Sequence, residues 1–120
     1  MALHHARSGE VVNVLTHSEL PAVQSQAIVS APDLEVMRLC MPEGKQVPPH
    51  AVAGAITLLC LQGKVEVQAH GAWHTLQVND HLYLDRHVEH ALRALSDAVV
   101  LVNIQRRIEI RADANQTSTN

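Results

Sequence analysis

The chain has 120 residues, 47% of them apolar, with 9 Lys and Arg set against 12 Asp and Glu. That is enough apolar material for one buried core, and it excludes disorder over most of the length. A net charge of −3 gives no basic footprint for phosphate backbones. With no Phe, only Trp73 and Tyr83 remain to stack on bases, so nucleic acid is not an expected partner.

No run approaches the ~20 apolar residues that cross a membrane as a helix. Met1 to Glu10 carries no secretory signal, so the expected compartment is the cytoplasm. Nine His residues are the unusual feature of the composition.

In chain order the apolar pattern has a period of two rather than 3.6. VVNVL at 11–15 and QAIVS at 26–30 read as weak strands, and residues 17–24 as a helical turn kept short by Pro21. LEVMRLCM at 34–41 is a stronger strand. AITLLCL at 55–61 and AVVLVNI at 98–104 are continuously apolar, which predicts strands covered on both faces. KVEVQA at 64–69 alternates, with Val65, Val67 and Ala69 on one side. Trp73–Val78 follows, and RRIEIR at 106–111 repeats the alternation with Ile108 and Ile110 inward. The polar tail 111–120 reads as frayed.

Turn residues fall every 8 to 12 positions or so, at Ala31-Pro32-Asp33, Pro42-Glu43-Gly44, Gln62-Gly63, His70-Gly71 and Asn79-Asp80. Many short strands so spaced predict an all-β sandwich or barrel. The expected organisation is a single domain over 1–120, with a barrel core at about 10–110.

Cys40 and Cys60 stand in apolar runs without CxxC spacing and read as small buried hydrophobes. A disulfide between them requires neighbouring strands to bring their α-carbons within reach. No GxSxG elbow or phosphate-binding GxxxxGK[ST] loop is present, so no catalytic residue is assigned.

The segment Gly44 to Gly63 resembles the first motif of the cupin superfamily: Gly, five residues, His-x-His, three or four residues, Glu, six residues, Gly. Gly44, His50 and Gly63 are in register, while Val52 stands at the second His and Ile56 at the Glu. The second motif, Gly, five residues, Pro-x-Gly, two residues, His, three residues, Asn, aligns on Asn79–Ala94. Of it only His90 is kept; Asn79, Asp85, His87 and Ala94 replace the rest. The likeness spans roughly residues 34–104 and is to small, single-domain bacterial cupins, in which incomplete metal motifs are frequent.

The resemblance implies a cupin-type double-stranded β-helix, a jelly-roll barrel with a pocket at its open end, and a homodimer. A typical cupin holds a divalent metal with three imidazoles and one carboxylate. With Val52 and Ile56 in two of those places, His50 and His90 are the remaining candidate metal ligands and His87 the candidate third, with Glu89 or Asp85 as a carboxylate source. No cofactor is certain, and a divalent transition metal (Zn, Fe, Mn or Ni) is the one the resemblance allows.

The expected ligand pocket comprises His50, Val52, Ile56, Leu58 and His90, with Cys60, Tyr83 and Trp73 as further candidates. The pair His50 and His90 then serves a residual metal, or a hydrogen bond to an anionic or carbonyl group. Arg38, inside an apolar strand, either meets an anion in the barrel or snorkels to water from an edge strand. His70 and His74 are expected in solvent at a hairpin turn, His81 on the strand face opposite Leu82, His4 and His5 at the amino terminus, and His17 near a loop. Three functions stay open: a small-molecule binding or sensing barrel, a metal-dependent dioxygenase or isomerase, and a packed structural barrel.

Overall fold

In a computed structural model of the protein, residues 5–15 and 25–106 are described. The expected helical turn at 17–24, Ile108, Ile110, His4, His17 and the tail lie outside them. The described residues hold nine strands and no helix: β1 Gln26–Ser30, β2 Leu34–Met41, β3 Gln46–His50, β4 Ile56–Gln62, β5 Val65–Ala69, β6 Ala72–Leu76, β7 His81–Leu84, β8 His90–Ala94 and β9 Ala98–Gln105. None of these elements is a helix long and apolar enough to cross a membrane.

Two antiparallel sheets face each other. One runs β1-β2-β9-β4-β7 and the other β3-β8-β5-β6. From β2 to β5 and from β6 to β9 the chain crosses between the sheets at each step, as in a double-stranded β-helix: β2 pairs with β9 at the far end of the chain, and β3 pairs with β8. The all-β fold expected from the spacing, and the jelly-roll that the resemblance implies, are what is observed.

The core lies between the sheets. Leu58, Cys60, Val65, Val67 and Val100 are almost wholly buried there, joined by Met41, Leu76, Leu84 and Leu92. In β5 the burial follows the alternation, with Val65, Val67 and Ala69 inward. In β4 and β9 the runs expected to be covered on both faces alternate as well. Ile56, Leu58 and Cys60 are buried, whereas Thr57, Leu59 and Leu61 are only half-buried. Their outer sides are thus less enclosed than continuous hydrophobicity implies.

Residues 11–15 form no strand. Leu15 donates its amide to the Asn13 side chain, a local turn that competes with a sheet ladder, and Val11 is 93% exposed. β1 does pair, with β2, and forms one edge of its sheet.

Two strands escape the apolar pattern. β3 contains Pro48 and Pro49, which cannot donate to a ladder. It survives because it is an edge strand whose pairing with β8 is interrupted between Val47 and His50, so no bond is required from either proline. β8 is too short, and too interrupted by His90 and Arg93, to register as an apolar run.

The turns meet their conformational demands with the expected residues. Asn79 takes a left-handed φ of 74° in the position where the motif has Gly. Gly63 ends β4 with φ of 75°, and a Cβ there would run into the Asp97 carbonyl.

Candidate functional site

His50 closes β3 and His90 opens β8, and the two are directly opposite partners across that pairing. Their ring centroids are 4.3 Å apart and the planes are tilted by 55°. His50 is exposed at the barrel mouth, whereas His90 is 4% exposed.

Each ring is pinned the same way. His50 Nδ1–H donates to the Pro48 carbonyl at 3.1 Å, and His90 Nδ1–H donates to the Val88 carbonyl at 2.9 Å. A carbonyl oxygen only accepts, so these bonds place the proton of each neutral imidazole on Nδ1. Nε2 keeps its lone pair in both.

Burial pushes the His90 pKa below the ordinary imidazole value; the bond to Val88 opposes this and the neighbouring His50 reinforces it. A neutral, acceptor-bearing ring is the result.

Behind the pair lies a cavity of about 180 Å³, lined by His50, His90, Val52, Ile56 and Leu58, together with Met37, Leu39, Val47, Leu92, Val102 and Ile104. All five residues of the expected pocket therefore meet around one space. Apart from the two imidazoles, every lining side chain is apolar. Parity explains it: Met37 and Leu39 of β2, Ile56 and Leu58 of β4, and Val102 and Ile104 of β9 all point between the sheets. Met37 and Leu39 were not anticipated, although their alternation with Arg38 in LEVMRLCM carried the signal.

A second, open cleft of about 460 Å³ lies at the rim of the other sheet. Gln68, His70 and Glu89 line it, and His90 borders both spaces.

Other candidates fall elsewhere. His87 is exposed, in a turn with φ of 62° whose amide bonds to the Val52 carbonyl. It does not complete a ligand set, for among the described residues no three of His, Cys, Asp and Glu converge as metal donors. Asp85 and Glu89 are likewise exposed. A typical cupin metal takes four donors, and this cavity offers two imidazoles against aliphatic walls, so the residues present do not fit that metal.

Cys60 is buried below the cavity, and its thiol pKa is raised by burial. Cys60 and Cys40 are both free. They stand on opposite faces of one sheet: Cys60 pairs with Val100, which is in the core between the sheets, whereas Cys40 pairs with Val99 of the opposite parity and donates its amide to the Ser25 hydroxyl. Trp73 points away from the barrel interior, with the Arg93 guanidinium 3.9 Å above its ring, and Tyr83 is 59% exposed.

Arg38 is neither in the barrel nor snorkelling to water. It is 5% exposed on the outer side of β2, where Nη1 donates to the Val14 carbonyl and Nε has no partner among the described residues. His74 is half-buried rather than in solvent, with Nε2–H donating to the Ala69 carbonyl; His70 and His81 are exposed as expected.

The profile of the cupin domain family matches residues 37–104, more than half of the chain. The chain belongs to the cupin family. Solved cupins share its fold. A cupin superfamily protein of Desulfitobacterium hafniense is 19% identical, with a TM-score of 0.68 over 70% of this chain and 77% of that one. KdgF from a Halomonas species is 25% identical, with a TM-score of 0.62 over 73% and 83%. A conserved Streptococcus pyogenes protein of unknown function is 16% identical, with a TM-score of 0.73 over 91% and 97%. No curated protein sequence matches this cupin.

Proposed function

We propose that this cupin is a small-molecule binding or sensing barrel, its ligand held in the apolar cavity and oriented by His50 and His90. The observation that carries the reading is the pairing of an otherwise apolar cavity of about 180 Å³ with two imidazoles whose Nδ1 atoms each lie in hydrogen-bond reach of a main-chain carbonyl. Such a combination, apolar walls with few fixed polar groups, is the ordinary make-up of a ligand site. A cavity of about 150 Å³ in a protein core accepts a benzene ring, so the ligand body is of that size.

The space left beside Val52 and Ile56 favours binding over a barrel that is merely packed. A metal-dependent dioxygenase or isomerase remains the alternative function, and the two-donor set is what weighs against it. The fold alone favours none of them.

The test is a thermal-denaturation screen of small apolar alcohols, phenols and ketones in the presence of a chelator. A ligand of the native state raises the melting temperature in proportion to its occupancy. The wild type is expected to give hits that vanish in Val102→Phe, which fills the cavity. An absence of hits, or hits that persist in the filled variant, would overturn the reading.

A further inference from the structure

The bonding of the two imidazoles restricts what the cavity can take. Each has committed its single N–H to a main-chain carbonyl, at Pro48 and at Val88. What remains at the ligand end of each neutral ring is an acceptor. Among the described residues no other polar side chain lines the cavity, and no cation does. Arg38, the one arginine on the strands around it that is itself buried, faces the other side of β2, where its guanidinium meets Val14.

We infer that the ligand is an uncharged hydrogen-bond donor on a compact apolar body, a phenol or an alcohol of single-ring size, and that carboxylates are excluded. This rests on the binding reading above and deepens it.

The chemistry of exclusion is direct. A carboxylate brought to the pair sets its lone pairs against those of Nε2, with no cation in the cavity walls to offset the loss of its hydration. A hydroxyl donates to Nε2 without any ring changing its proton. A hydrocarbon of the same shape fills the same space but leaves Nε2 of the buried His90 without the water it would otherwise keep, so it binds less tightly. The ligand so inferred differs from the anionic or carbonyl ligand expected from sequence in the sense of the hydrogen bond. The buried ring's resistance to protonation keeps it in the acceptor state near neutral pH.

Three probes of one ring size separate the possibilities: phenol, toluene and benzoate, titrated calorimetrically at pH 8 into the full chain freed of metal by a chelator. Phenol is expected to bind about 10-fold more tightly than toluene, the worth of one hydrogen bond in a dry site, and benzoate not measurably. His50→Leu, a change at an exposed position, is expected to bring phenol towards toluene by several-fold while toluene binding persists. His90→Leu is expected to do so more strongly, and if it does not fold His50→Leu alone decides. Toluene matching phenol, or benzoate equalling it, would overturn the donor rule and leave the cavity reading intact. Failure of all three to bind would overturn both.

Discussion

His90 and His50 face each other across the β3–β8 pairing with ring centroids 4.3 Å apart, yet one is buried and the other open to solvent. The asymmetry has a consequence for stability. His90 has its pKa lowered chiefly by burial, so the unfolded chain takes up a proton more readily than the folded one. Stability from this group is complete above the unfolded value of about 6.5 and is lost as pH falls through it towards the lower folded value. His70 and Glu89 share the open cleft with the ring and His50 stands against it, His50 acting on His90 in the same direction as burial. Melting curves from pH 8 to pH 5 are expected to fall in the wild type, with a shallower slope in His90→Leu. Equal slopes would contradict this assignment.

If the missing donors are the reason the cavity does not fit a metal, restoring them should create a site. Val52 and Ile56 line the same space as both imidazoles. The double variant Val52→His, Ile56→Glu is expected to take up about one equivalent of a divalent metal by equilibrium dialysis, where the wild type takes up far less. Burying a carboxylate at the 3%-exposed position of Ile56 should lower stability without metal and regain part of it with metal. Wild-type uptake equal to that of the variant would contradict the role given to Val52 and Ile56.

Gly63 and Gly71 both hold left-handed backbone, but only Gly63 is hemmed in. An added Cβ at Gly71 meets nothing, whereas one at Gly63 strikes the Asp97 carbonyl. Gly71→Ala should therefore cost only the conformational penalty of about 1–2 kcal/mol. Gly63→Ala should cost clearly more, or prevent folding, because the Gly63 end of β4 and the start of β9 must move apart. Chemical denaturation of the two variants in parallel makes the comparison, and equal losses would show that the contact is relieved cheaply.

Much of the barrel was legible because its strands alternate. KVEVQA set one parity inward, LEVMRLCM read as a strand, and the spacing of Gly, Pro and Asn turns pointed to many short strands. β3 was not legible, since two prolines argue against a strand and only the interrupted pairing with β8 accommodates them. His50, Val52, Ile56 and His90 followed from motif register and Leu58 from its shared parity with His50, whereas Met37 and Leu39 required knowing which face of β2 turns inward. The tautomers of His50 and His90 were beyond the sequence, because they depend on carbonyls two residues upstream lying within reach of each ring. Arg38 misled for a similar reason. A charge in an apolar strand suggests an interior anion, and its actual cover, the Val14 carbonyl, comes from a segment with no strand pairing to announce it.

The cysteines give an independent check on the packing. Cys60 has no exposed surface and its thiol is held near the Gln62 and Gly63 carbonyls, with its pKa raised by burial. A thiol so placed reacts slowly. Both cysteines are expected to resist a thiol reagent in the native protein and to react fully in denaturant, with no disulfide under non-reducing conditions. Rapid native labelling of Cys60 would mean that the inner face of β4 opens to solvent.

The claim most central to this account is that the cavity takes a ligand with no metal present. Methyl NMR of the chelator-treated protein, titrated with phenol, tests it most directly. The account predicts saturable shifts confined to the methyls around the cavity, those of Leu58, Val102 and Ile104 among them, unchanged by the chelator and weakened in His50→Leu. Shifts that appear only after a divalent metal is added would contradict it.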